Sequence, residues 1–312
     1  MKKLPSKKEK EPSLAFGGQA LIEGIMIRSR SHLVMCVRKP NQEIVTNVEE
    51  VTSLSQKHKA LSVPFIRGIV ALPEMLYIGF KGLFFSANAA VEDEQGGENE
   101  KFTWKEFAVA IALALGVASI FFIAPYLLTG WLGLIPGTIV FNIVEAVIRL
   151  RLFIVYLTAI ASWGEFRRVL QYHGAEHKAI NALEAGAPMD VVNVKKYSRL
   201  HPRCGTSFIF ITIIVSIVLF SIMPNLGFFI NLSYRVLLIP VIAGISYELL
   251  RLSGKYRNSI ATKVLTFPGL VFQRLATKEP TDDMLEVSIK AVVEATRLSG
   301  TQQLSSQEKK DN

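Results

Sequence analysis

The chain has 312 residues, half of them hydrophobic, with a formal charge of +9 and a mean hydropathy of +0.33. That hydropathy in a chain with 20% charged residues requires segregated charges, and residues 107–144 and 204–234 hold no Asp, Glu, Lys or Arg at all, when about 20 apolar residues suffice to cross a bilayer. These runs exclude a purely cytosolic enzyme, a disordered tail protein and a nucleic-acid binder defined by its basic surface; two distant cysteines, Cys36 and Cys204, exclude a disulfide framework.

Residues 1–13 carry five Lys and two Pro with almost nothing to bury, and are read as a disordered basic N-terminus. They lead into Phe16-Gly-Gly-Gln rather than an apolar segment, so a cleavable signal peptide is not expected. Residues 14–91 read as a cytoplasmic or interfacial region. Within it, GGQALIEGIMIR (17–28) is a glycine-rich block with Glu23 as a candidate polar group for a site. LVMCVRKPNQEIVTNVEEV (33–51) reads as two β-rich runs around a Lys39-Pro-Asn-Gln turn, a small hairpin. Pro73, Glu74, Gly79, Lys81 and Gly82 interrupt the apolar stretch 69–86, which favours an interfacial or re-entrant helix over a span.

An acidic linker follows at 92–101. The first uncharged run divides at TGWLGLIPG (129–137) into a span at 107–128 and a second that starts near 132 and continues to about Trp163, giving a transmembrane hairpin over 102–163. Glu145 and Arg149 stand i,i+4 inside it, and Arg149 and Arg151 are placed to reach toward inner headgroups. A cytoplasmic loop occupies 164–205. A second hairpin over 206–253 holds spans at about 206–223 and 234–252, and cytoplasmic helices fill 254–312, among them an amphipathic one after Thr281.

The predicted fold class is therefore mainly α: a polytopic α-helical membrane protein of about four transmembrane helices with a small N-terminal β-hairpin element. Lys and Arg number 15 in residues 1–106, 7 in 164–206 and 9 in 254–312, against none in the turns 129–138 and 224–233. This places both termini and the central loop in the cytoplasm and the chain in the cell membrane, with an anionic inner leaflet as its partner and no nucleic acid.

Three of the five histidines fall in the central loop, in YHGAEHK (172–178) and HPRCGT (201–206). His173 and His177 leave one helical face together, and H-x-x-E-H is a pattern in which two His hold zinc while the Glu serves as general base. His201 and Cys204, at H-x-x-C spacing, and Glu248, near the cytoplasmic end of the last span, are the candidates for the remaining ligands. Phe166, Leu170, His173, His177 and Ile180 also form one stripe, so a hydrogen-bonded structural pair of histidines is the competing reading. Glu248 has a local alternative partner in Arg251.

Five ordered blocks, GGQALIEGIMIR (17–28), YHGAEHKAINALE (172–184), HPRCGTSF (201–208), YELLRLSGKY (247–256) and FPGLVFQRLATKEPTDDMLEVSI (267–289), resemble the bacterial YqhQ family over roughly 15–298. These are membrane proteins of unknown function often described as metal-dependent enzymes, and the resemblance implies a metal without supplying a substrate. The expectation is a hydrolase-like site at the inner membrane surface using a divalent ion, zinc by preference, on His173 and His177. His201, Cys204 or Glu248 would complete it, Glu176 would act as base, and the substrate would be a lipid or a membrane protein. The alternatives are a non-enzymatic assembly or scaffold protein with a structural metal or bonded histidines, and, more weakly, a transporter.

Overall fold

Alternating side chains in the N-terminal region are apolar on both sides, and the sheet they form is covered on both faces. The computed structural model of the protein describes residues 16–95, 104–202, 204–223, 226–256 and 259–311. The strands are β1 (Gly17–Leu21), β2 (Gly24–Arg28), β3 (His32–Arg38) and β4 (Ile44–Glu50), an antiparallel meander in sequence order. The expected hairpin is present as β3–β4, with Lys39 N–H donating to the Glu43 carbonyl across the turn. The glycine-rich block 17–28 adds two further strands. It folds into β1 and β2 around Ile22 and Glu23, and Glu23 takes φ +52°. Because β2 and β3 are central, they read as continuous hydrophobic runs rather than half-polar strands.

The two faces meet different helices. Ile25, Ile27, Val34 and Cys36 join a core with Tyr172, Ala175, Ala179, Met284, Leu285, Ala291 and Val292. These come from α5 (Gly164–Glu184) and α11 (Asp282–Asp311). Leu21, Met26, Leu33, Met35 and Val37 pack on Ile78 and Ala89 of α2 (Ile66–Gln95). A short α1 (Leu54–Lys57) precedes α2. The amphipathic tail helix is thus present, with Asp282 and Asp283 in its first turn, where acidic side chains favour the helix dipole.

The apolar half comprises α3 (Trp104–Trp131), α4 (Ile139–Ser162), α7 (Gly205–Ser221), α8 (Phe228–Leu237), α9 (Ile239–Lys255) and α10 (Ile260–Ala276); a short α6 (Val191–Val194) lies in the central loop. Among the described residues, one helix is long and apolar enough to cross a membrane, over Ile66–Ala90, and the bent pair α8–α9, meeting at 44°, passes as a second. Ile120–Trp131, the C-terminal part of α3, and Gly205–Ser221 are shorter apolar segments.

Two helical segments differ from the expectation. The stretch 69–86, expected to be interfacial or re-entrant rather than spanning, lies in the helix that is long and apolar enough to cross a membrane and continues through Pro73, since an internal proline removes one hydrogen bond without having to end a helix. Residues 132–163 are not one long helix: α4 starts at Ile139, capped by the Thr138 side chain accepting from Phe141 N–H, and Trp163 in an extended conformation separates it from α5. The basic N-terminus and residues 96–101 of the acidic linker lie outside the described residues, while residues 92–95 end α2.

Inside the apolar half, Glu145 and Arg149 pair as expected, but Arg149 turns inward instead of outward and is 9% exposed. Its Nε–H donates to the Phe121 carbonyl at 3.1 Å. That carbonyl is free because Pro125, four residues on, has no N–H to offer it. Arg235 of α8 is the unforeseen member: it pairs with the other Glu145 oxygen, donates to Asn142 Oδ1 at 2.7 Å, and lies over the rings of Tyr126 and Phe220. One carboxylate thus holds two buried guanidinium groups.

Candidate metal centre

The spacing of His173 and His177 on α5 sets their rings 4.5 Å apart, edge to face. Each ring is oriented from behind by a backbone carbonyl. His173 Nδ1 lies 2.8 Å from the Ala276 carbonyl oxygen, and His177 Nδ1 lies 2.7 Å from that of Arg199. A carbonyl only accepts, so each Nδ1 carries a proton, and a ring in its neutral form then presents its lone pair on Nε2. This is the arrangement by which outer partners prepare histidines as metal ligands.

Close approach makes those carbonyls available. A Cβ on Gly174 would lie 2.1 Å from the Lys278 carbonyl oxygen, so only glycine lets the segment after α10 settle on α5. There Lys278 N–H donates to the Leu170 carbonyl at 2.8 Å. The loop after α6 is held as tightly. Asn181 donates to the Ser198 and Leu200 carbonyls, and Lys178 donates to the Lys195 carbonyl and pairs with Glu279 at 2.6 Å. Arg199 completes the bracket by donating to the Thr277 carbonyl.

Cys204, at the N-cap of α7, supplies the third donor. Its Sγ lies 3.4 Å from His173 Nε2, and one ligand atom each from His173, His177 and Cys204 fall within 4.8 Å of one another. Tetrahedral zinc with bonds of about 2.0–2.3 Å separates its ligand atoms by roughly 3.5 Å, so this set of two imidazole nitrogens and one cysteine sulfur suits a zinc-class ion with little adjustment.

Glu176 is buried at 4% exposure, with Oε2 3.9 Å from His177 Nε2. A Cβ on Gly18 of β1 would stand 2.2 Å from its Oε1, so the bare strand backbone forms the wall against this carboxyl group. Burial pushes the Glu176 carboxyl above its ordinary range, opposed by His173 and His201; burial likewise pushes the His177 imidazole down, opposed by Cys204. Each shift favours the neutral form of its group.

The other candidates are placed differently. His201 is buried with its ring 5.8 Å from that of His177, its backbone N–H and carbonyl both bonded to the Gln273 amide, and Nε2 3.7 Å from Glu184 Oε1. It borders the centre outside the three-donor group. Glu184, the last residue of α5, therefore faces His201. Glu248 does not approach the histidines: it accepts from Arg67 Nε at 2.6 Å and from Phe65 N–H at 3.2 Å, so its partner is Arg67, 181 residues away, rather than Arg251. Glu23 also stays apart from the imidazoles. It holds Arg168 by two bonds of 2.5 and 2.6 Å and accepts at 3.3 Å from the Oη of Tyr172, the residue just before His173. Sequence reasoning had no signal for the Ala276 and Arg199 carbonyls, which are backbone groups; Gly174, inside a helix, was the available hint.

A family model described as a protein of unknown function (DUF1385) matches residues 63–298, a span that contains His173, Glu176, His177, His201, Cys204 and Glu248 but not Glu23. The chain is 36% identical over 307 residues to the uncharacterized protein YqhQ of Bacillus subtilis strain 168, covering 91% of this chain and 93% of that protein. No solved structure matches the chain. Matches of that extent, to family model and full-length relative alike, make this chain a member of the YqhQ family.

Proposed function

We propose that the protein is a polytopic membrane protein of the cell membrane whose cytoplasmic face carries a hydrolase-like centre for one divalent ion, zinc by preference. The observation that carries this reading is the pair of Nδ1–H···O=C bonds that aim the His173 and His177 lone pairs toward Cys204. Three protein donors are the number that leaves a position open, whereas structural zinc sites close with four. A bound zinc-class ion would act as a Lewis acid and lower the pKa of water. Glu176, 3.9 Å from a ligand nitrogen, would receive the proton of the attacking water once the charge of a bound ion offsets the burial that favours its protonated form. Its burial against Gly18 favours a second reading, in which Glu176 closes the site as a fourth ligand and the ion pins the loop as a scaffold.

Glu176→Gln separates the two. It keeps size and most hydrogen bonding while removing the basic carboxylate, so the enzyme reading expects metal and fold retained with loss of complementation of a deletion strain. Loss of the ion in Glu176→Gln with the helices intact would instead mark Glu176 as a ligand and assign the ion to structure.

The membrane part of the proposal rests on the uncharged runs and on the distribution of Lys and Arg. Labelling of single cysteines introduced at Gly133 and Leu226 should occur from outside the cell, and at Gly186 and the C-terminus only from inside. An externally labelled Gly186 would overturn the arrangement.

A further inference from the structure

An apolar cavity of about 320 Å³ lies among α2, α3, α4, α7 and α9, walled by Leu72, Phe121, Phe153, Phe208 and Ile242 among others. That volume lies at the lower end of the ~300–1,000 Å³ common for small-molecule sites. Three polar side chains reach the wall, and each is already engaged. Thr212 Oγ1 donates to the Ile209 carbonyl and Ser216 Oγ to that of Ile213, at 2.6 and 2.7 Å. Arg149 is held by Glu145, the Phe121 carbonyl and Ser216. The polar groups on this wall already have partners within the protein, so an alkyl chain fits without leaving any of them unmet.

The cavity is continuous in register with the candidate centre. Cys204, Phe208, Thr212 and Ser216 stand four residues apart at and along α7. At 1.5 Å per residue the wall starts about 6 Å beyond Cys204 and ends about 18 Å beyond it, a path of the direction and length of a partly inserted acyl chain. We propose that the cavity receives an acyl chain of a membrane phospholipid, with the polar end of the lipid at the Cys204 end. This rests on the reading of His173, His177 and Cys204 as a metal centre and gives it a substrate class, a lipid ester or phosphoester. A phospholipid is favoured over a free fatty acid because the wall keeps no unengaged cation for a carboxylate.

The test uses full-length protein in nanodiscs that contain phosphatidylglycerol with a diazirine midway along one acyl chain, with cross-links mapped after irradiation and zinc measured on the same sample. Labelling should concentrate on 205–221 and 239–255, and Ala243→Phe from α9 and Thr212→Phe from α7 should each reduce it roughly tenfold, the equivalent of about 1.4 kcal/mol, with zinc unchanged. Two variants on different helices guard against a single misfolded one. Equal labelling in wild type and both variants means surface lipid only and overturns the inference while leaving the centre untouched. Cavity-dependent labelling in protein that holds no zinc supports the pocket and defeats the metal reading instead.

Discussion

Replacing Glu145 with alanine should destabilise the protein by about 3–5 kcal/mol, the cost of removing one partner from a buried ion pair. Glu145 is 2% exposed and faces Arg149 and Arg235, themselves 9% and 7% exposed, so its loss leaves two guanidinium groups in one apolar compartment with only Asn142, Ser216 and the Phe121 carbonyl as neutral acceptors. The lost attraction and the new like-charge repulsion act in the same direction. Thermal unfolding in detergent should show a midpoint lower by on the order of 10 °C, at about 2–4 °C per kcal/mol for a chain of this class. Adding Arg149→Met to Glu145→Ala should recover part of the loss by removing one of the stranded charges. A midpoint unchanged within a degree in Glu145→Ala would mean that water reaches this compartment.

Gly174→Ala should weaken zinc binding by roughly 10–100-fold, the range seen when an outer partner of a metal-binding histidine is lost. Helix propensity alone argues the opposite, since alanine stabilises an exposed helix interior by about 1 kcal/mol relative to glycine. Position 174 is different because the added methyl would meet the Lys278 carbonyl oxygen at 2.1 Å, and that oxygen belongs to backbone that must move away. The movement draws the Ala276 carbonyl off His173 Nδ1 and frees the ring to turn. Competition with a chromogenic chelator measures the affinity, and circular dichroism checks that the helices persist. Unaltered affinity together with higher stability would show that residues 276–280 do not rest on α5.

The parts of this architecture legible in the sequence share one property: their partners are close along the chain or follow a period. His173 and His177 are one helical turn apart, Cys204 lies three residues after His201, and the β3–β4 hairpin surrounds a Pro-Asn turn. The Glu145–Arg149 pair was readable for the same reason. What stayed hidden depends on distant packing. Glu248 looked as if it had a choice between Arg251 and a metal because Arg67 is remote in sequence, and Arg235 revealed nothing of its bond to Glu145, 90 residues earlier. The block 17–28 escaped recognition as two strands because its turn is Ile22-Glu23, with a non-glycine residue at positive φ where Asn-Gly or Gly would have announced a hairpin.

The centre itself follows the same division. Its donors come from two short motifs, but their readiness to bind comes from carbonyls at Ala276 and Arg199 that neither motif contains. The resemblance to the YqhQ family pointed to a metal, and the geometry adds which nitrogen of each ring would bind it.

Metal analysis of protein purified from native membranes without added metal, followed by X-ray absorption at the metal edge, tests the centre most directly. We expect close to one equivalent of a zinc-class ion with two nitrogens near 2.0 Å and one sulfur near 2.3 Å. That ion should be absent from the His173→Ala, His177→Ala double variant while the helices still insert. Protein that carries no such ion, or a double variant that carries as much as wild type, would contradict the assignment of His173, His177 and Cys204 as its ligands.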